Sequence, residues 1–155
     1  MILGENSITN FGLHTICNNL QELRKLFLNH NQISDEGVSA VIKLRNLRCL
    51  DLRCNKITSE SLRSIGQLTS LTQLSLSNND IGDSYLDNLE QLSGLLYLDI
   101  TSNKITEKGG LAIARIRTIN NLYLSHNKVT ISCVQAYFTM PSIRVLDVRF
   151  NDIPQ

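Results

Sequence analysis

The apolar positions of this chain return in one frame. Leu23, Leu26, Leu28 and Ile33 surround Asn31, and the same pattern recurs every 24 residues. Leu47, Leu50, Leu52, Asn55, Ile57 repeat it, as do Leu71, Leu74, Leu76, Asn79, Ile81 and then Leu95, Leu98, Ile100, Asn103, Ile105. Ile119, Leu122, Leu124, Asn127, Val129 and Ile143, Leu146, Val148, Asn151, Ile153 complete the set. A shorter match, Leu3, Asn6 and Ile8, precedes them by 25 residues, with the extra residue placed near Asn19. Such self-similarity predicts stacked copies of one unit rather than a closed globule.

Within each L-x-x-L-x-L segment the apolar residues alternate, which predicts a short strand with one face turned inward. Successive strands are expected to pair in parallel. The asparagine at the ninth position turns the chain, and its amide both donates and accepts. Stacked copies should therefore form an asparagine ladder that pairs backbone groups buried by the turn. The other half of the unit carries helix marks. Ser34, Thr58 and Thr106 precede acidic residues, as an N-cap and first helical turn would. Apolar residues follow at Val38, Val41, Leu44; at Leu62, Ile65, Leu68; and at Leu86, Leu89, Leu92. A helix of about two to three turns per repeat is expected. Helices are about 10 Å wide and strand spacing is about half that, so strands should line a concave face and helices a convex one.

The motif L-x-x-L-x-L-x-x-N-x-I resembles that of leucine-rich repeat proteins over residues 3–153. The resemblance implies an α/β solenoid, a horseshoe arc with a parallel concave sheet and short convex helices. Residues 1–155 are expected to form one such domain. It would have a partial first repeat at about 1–22, full repeats starting at 23, 47, 71, 95 and 119, and a truncated repeat at 143–155. The unit is similar to a short form of the ribonuclease-inhibitor-like class. The phrase Ile33-Ser34-Asp35-Glu36-Gly37 resembles repeats in effectors of intracellular bacterial pathogens. The abrupt ends, Met1-Ile2-Leu3 and Ile153-Pro154-Gln155, are expected to continue into a longer protein or to be covered by a partner.

Net charge is +1, so no global attraction to nucleic acid or membrane is expected. The concave basic residues Lys25, Arg53 and Arg149 are offset by Asp51, Asp99 and Asp147, which argues against a nucleic-acid stripe. No apolar run is long enough to span a bilayer. Cys17, Cys49, Cys54 and Cys133 lie inside repeats, and no Asn-x-Ser/Thr sequon occurs. Both features favour a reducing compartment. The expected location is the cytoplasm of a bacterium or, for a delivered effector, the host cytosol.

Candidate contact residues follow from the outward strand positions. Phe27, Tyr97, Tyr123 and Phe150 put half of the chain's eight aromatic residues on this surface. Arg53 and Arg149 stand where the family usually has a small residue. Aromatic residues and arginine dominate protein interfaces, whereas a single exposed aromatic carries no meaning. Lys25, His30, Asp51, Asp99, His126 and Asp147 complete the set of partner-binding candidates. His30 and Cys54 share a column in neighbouring repeats, which admits a thiolate–imidazole pair or a metal site with Cys49 and Asp51. The competing reading is a cysteine filling a half-buried slot beside a surface histidine. No third orienting group accompanies them, and no phosphate loop or paired-cysteine zinc pattern occurs. Gly109-Gly110 is read as relaxing helix packing.

The expectation is a non-catalytic protein-binding module without cofactor or metal. It would hold a protein partner, an enzyme it inhibits or another effector, on the concave face. The alternative is the target-recognition fragment of a larger multidomain effector or receptor. Oligomeric state is left open.

Overall fold

The computed structural model describes residues 1–154; Gln155, the end of the predicted truncated repeat 143–155, lies outside the described residues. Six three-residue strands form one parallel sheet: β1 (Lys25–Phe27), β2 (Cys49–Asp51), β3 (Gln73–Ser75), β4 (Tyr97–Asp99), β5 (Asn121–Tyr123) and β6 (Val145–Asp147). They follow one another in chain order, and each pairing keeps the 24-residue register, from Leu26 opposite Leu50 to Leu122 opposite Leu146. The middle leucine of each strand points inward, and Leu26, Leu50, Leu74, Leu98 and Leu122 are fully buried. The leading half-match is a real coil. Ile2 bridges Phe27 in parallel, and the Leu3 N–H donates to the Phe27 carbonyl at 2.9 Å.

Parallel strands require a crossover, and the second half of each repeat supplies it. The crossovers after β1, β2 and β3 are tighter than the predicted two to three helical turns, while the helices at Asn10–Asn19, Glu107–Ile113 and Ile131–Tyr137 have about that length. Helix α1 spans Asn10–Asn19. Helix α2 (Asp35–Val38) runs on into a 3-10 turn at Ser39–Lys43. A 3-10 turn at Ser59–Ser61 leads into α3 (Leu62–Ile65). The next repeat has only a 3-10 helix, Leu86–Gln91, entered through Tyr85 in the left-handed region. Helices α4 (Glu107–Ile113) and α5 (Ile131–Tyr137) are regular. The correction has a physical cause already present in the spacing. Val38/Val41/Leu44, Leu62/Ile65/Leu68 and Leu86/Leu89/Leu92 recur every third residue, the 3-10 period. In α5 the buried residues Cys133, Val134 and Tyr137 include an i, i+4 pair, the α period.

The asparagine ladder is continuous. Each side-chain oxygen accepts the N–H of the apolar residue two positions past the asparagine of the preceding coil: Ile8 to Asn31, Ile33 to Asn55, Ile57 to Asn79, Ile81 to Asn103, Ile105 to Asn127, Val129 to Asn151. Each amide nitrogen donates both to a carbonyl of its own strand end and to the equivalent carbonyl one coil earlier. Asn127, for example, reaches Leu124 at 3.1 Å and Ile100 at 3.0 Å.

A second polar ladder runs along the turn into the helices. It replaces most of the predicted N-caps. The Asp35 carboxylate accepts the Thr58 N–H at 2.8 Å, the Thr58 hydroxyl at 2.7 Å and the Ser61 hydroxyl. The Asp83 carboxylate takes the Thr106 N–H and hydroxyl and the Gly109 N–H. Asn10 and Ser59 perform the same step toward Ser34 and Gly82, and Glu107 accepts the Thr130 hydroxyl. Of Ser34, Thr58 and Thr106, only Thr58 caps its own turn, accepting the Glu60 N–H. These residues bind between coils instead of within one, so the acids read as first-turn helix formers also bolt each repeat to the next.

Gly110 shows how tightly α4 and α5 approach. A Cβ there would sit 2.6 Å from the Cys133 Sγ and 2.9 Å from the Tyr137 hydroxyl oxygen, both buried. The Tyr137 hydroxyl also donates to the Gly110 carbonyl at 3.1 Å. Gly110→Ala gains about 1 kcal/mol of helix propensity but incurs overpacking of about 1–3 kcal/mol. A net loss of about 1 kcal/mol in urea unfolding is expected, and Cys133→Ala in the same chain should recover most of it. An unchanged midpoint for Gly110→Ala alone would contradict this packing.

Candidate functional site

The outward positions of β1–β6 lie side by side because the register is fixed by the buried leucines. Third- and fifth-position side chains therefore form two adjacent columns on the concave face. Lys25 stands exposed at the start of β1, and Phe27 is half-buried at its end. Tyr97 and Tyr123 sit on adjacent strands with ring centroids 5.4 Å apart and planes tilted by 43°. The separation falls within the range that aromatic pairs prefer. Burial, together with the nearby Asp99, pushes the Tyr97 hydroxyl pKa up.

The fifth-position aspartates use their carboxylates locally. Asp51 is almost fully buried beneath Arg53, whose guanidinium clamps it through Nε at 2.9 Å and Nη2 at 2.6 Å. Asp147 holds Arg149 in the same geometry, with Nε at 2.9 Å and Nη2 at 2.8 Å. The hydrogen bond from Arg149 holds the Asp147 carboxyl below the usual carboxylate range. That small contribution to stability is present above the ordinary carboxylate pKa and fades as pH falls through the lowered value. In both pairs the arginine, more exposed than its aspartate, is the group presented to solvent. Asp99 accepts the Thr101 N–H at 3.1 Å, as Asp51 and Asp147 accept those of Arg53 and Arg149.

The eighth-position column has a property that sequence reasoning missed. Glu5, His30, Cys54, Asn78, Ser102, His126 and Phe150 all have φ between 52° and 58°. The left-handed region is strained for residues with a Cβ. No glycine marks these positions, so the sequence carried no signal for the bend. The turn throws the eighth side chain outward at the end of the strand. His126 and Phe150 stack there, with centroids 4.4 Å apart and planes 14° from parallel. His30 and Cys54 come to the same rim, around a hollow of about 290 Å³ shared with Arg53 and Asn78. Among the described residues, no group of three or more His, Cys, Asp or Glu side chains is placed to hold a metal ion.

A second hollow of about 280 Å³ lies on the concave face between Phe27, Arg53, Gln73, Ser75 and Tyr97. Gln73 and Ser75 were not singled out from sequence, yet they line it. Their column positions were the available signal. A larger hollow, about 810 Å³, lies away from the sheet among Gln21, Glu22, Lys43, Asn46 and Gln67, all exposed surface side chains. Cys17 and Cys133 are buried on the helical side, and burial pushes the Cys17 thiol up to about 11. No described helix is long and apolar enough to cross a membrane.

Residues 21–81 match a family model described as leucine rich repeat, and residues 94–114 match a second of the same description. No curated protein sequence matches the chain. Among solved structures, internalin C2 from Listeria monocytogenes is similar at 23% identity and TM-score 0.72, over 99% of this chain and 72% of that one. The internalin inlF from the same bacterium shares 24% identity at TM-score 0.66, over 92% of this chain. The Arabidopsis receptor kinase HAESA, solved with the peptide hormone IDA and the co-receptor SERK1, shares 20% identity at TM-score 0.68, over 98% of this chain. The chain spans 46% of the inlF structure and 25% of the HAESA one. At these identities the likeness is one of fold.

Proposed function

Because the chain belongs to the leucine-rich repeat family, whose members typically act as protein-interaction modules, we propose that its concave face binds a protein partner. The observation that carries this reading is the alignment of Phe27, Tyr97, Tyr123 and Phe150 with the clamped arginines Arg53 and Arg149 along one open sheet. Six strands span about 24 Å before curvature, at roughly 4.8 Å per spacing, enough for a standard interface when rim residues join. In this reading the tyrosine pair on β4 and β5 is the main anchor, and Phe27 supports the β1 end of the face. Lys25, His30, His126 and Phe150 lie at the rims. Asp51 and Asp147 act through the arginines they hold rigid, which lowers the ordering cost of binding.

The proposal extends to a short ribonuclease-inhibitor-like module that blocks an enzyme or another effector. The effector-like phrase at residues 33–37 and the regular return helices α4 and α5 support that extension. Four free thiols, three of them buried, suit a reducing compartment such as bacterial cytoplasm or host cytosol. A second reading, recognition repeats within a larger effector or receptor, is favoured by the small share of the HAESA and inlF structures that the chain spans.

The test is affinity capture from lysate, followed by a titration with the purified partner. Tyr97→Ala with Tyr123→Ala is expected to weaken binding more than tenfold, in keeping with aromatic hot spots at about 2 kcal/mol or more. Unchanged affinity in the folded double variant would remove the concave face from the interface.

A further inference from the structure

Three concave strands end in aspartate at the fifth position, but only two of these carry a counter-ion. Asp51 has Arg53 and Asp147 has Arg149, each two residues downstream. The equivalent residue after Asp99 is Thr101. Its N–H occupies Asp99 Oδ1, and among the described residues no cationic side chain pairs with the Asp99 carboxylate. Arg53 feels the charge of Asp99 through space but is committed by hydrogen bonds through Nε and Nη2 to the buried Asp51. Moving it to Asp99 would strand that buried charge, which is strongly unfavourable.

The surroundings of Asp99 are those of a cation receptor. Tyr123 stands directly across on β5, and Tyr97 lies two residues earlier on the same face of β4. Their rings form one wall, 5.4 Å apart between centroids. On the other side, Asp99 pairs with the small Ser75 of β3, and Ser75 and Tyr97 line the neighbouring hollow of about 280 Å³. A half-buried carboxylate beside two π faces attracts a cation both by charge and by ring quadrupole.

We propose that Asp99, Tyr97 and Tyr123 form the receiving site for an arginine side chain projected by the protein partner. The inference rests on the reading that the concave face binds a protein. A guanidinium is planar, so it stacks on a tyrosine ring while its N–H groups reach the carboxylate in the same plane. Lysine offers charge without the plane and is the poorer fit. A lone carboxylate does not hold a metal ion, and no metal-ligand cluster surrounds it among the described residues.

The probe is Nα-acetyl-arginine amide, titrated into the isotopically labelled chain and followed by NMR. Saturable shifts at Tyr97, Asp99 and Tyr123 are expected. Nα-acetyl-citrulline amide, of the same shape but uncharged, should bind at least fivefold more weakly. Asp99→Asn, isosteric and neutral, should remove the difference between the two probes. Absence of saturable shifts, equal binding of both probes, or an arginine preference that survives in Asp99→Asn would each overturn the site. The citrulline comparison on the unaltered chain decides the matter even without the variant. A partner lost from the Tyr97/Tyr123 double variant but held undiminished by Asp99→Asn would overturn this inference alone. A partner indifferent to both changes would instead refute concave-face binding.

Discussion

Asn127→Ala is expected to destabilise the protein by about 3 kcal/mol, read as a lowered urea midpoint. Asn127 is almost fully buried. Its oxygen takes the Ile105 N–H at 3.0 Å, and its nitrogen serves the Ile100 and Leu124 carbonyls. Those two carbonyls keep a second donor each, from Asn103 and Asn151. The loss therefore falls mainly on the Ile105 N–H, orphaned in a buried turn at about 1–3 kcal/mol, with two weakened acceptors in addition. Asn127→Asp should be no better, because a carboxylate accepts but cannot donate to carbonyls. The matching change at Asn6, exposed and bonded only to the Leu3 and Gly4 carbonyls, should cost a few tenths of a kcal/mol. Since coils touch only their neighbours, faster amide exchange in Asn127→Ala should begin in residues 119–154. Equal losses at Asn6 and Asn127 would show that the ladder is not what couples the coils.

Asp35→Ala is expected to cost about 2 kcal/mol. The change removes the acceptor for one backbone N–H and two hydroxyls of the following coil, and hydrogen bonds to a charged group contribute about 1.5–3 kcal/mol. Part of that is recovered, since Asp35 is only partly buried and water can replace the carboxylate. Asp35→Asn should cost under about 1 kcal/mol. Asn10 already does this work one coil earlier, accepting the Ser34 N–H and donating to the Ser34 hydroxyl. Equal losses for the alanine and asparagine variants would mean that charge, rather than hydrogen-bond geometry, holds this second ladder.

The two ladders were unequally legible. The ninth-position asparagines stand in strict phase, and an amide in a tight turn has few other uses, so their role followed from spacing. The second ladder draws on Asn10, Asp35, Ser59, Asp83 and Glu107, five residues of four types. Asp35 and Glu107 also make sense locally as first-turn acids of a helix, and single-coil reasoning stopped there. The concave columns were legible as columns, because a strand's side chains alternate. Whether a member was free was not legible. Asp51, Asp99 and Asp147 are alike in sequence position, yet two are clamped and one is open. The residue two places on decides it, and that link required the side-chain geometry.

The sequence by itself determined the repeat, the parallel register and the inward leucines, because a strict period admits only one way to stack. It also placed aromatic residues and arginines on a common face. The third-residue spacing already carried the tight crossovers, and only the tertiary structure decided where α-helix and 3-10 turn meet within them, at Val38/Ser39 and Ser61/Leu62, since that depends on the fit of one coil against the next. The left-handed eighth position likewise came from tertiary structure alone, because the stacked turn imposes that strain on whatever residue stands there. The pairing of Tyr97 with Tyr123 arises between strands 24 residues apart. Contacts at that separation are set by packing of coil on coil, which no local pattern encodes.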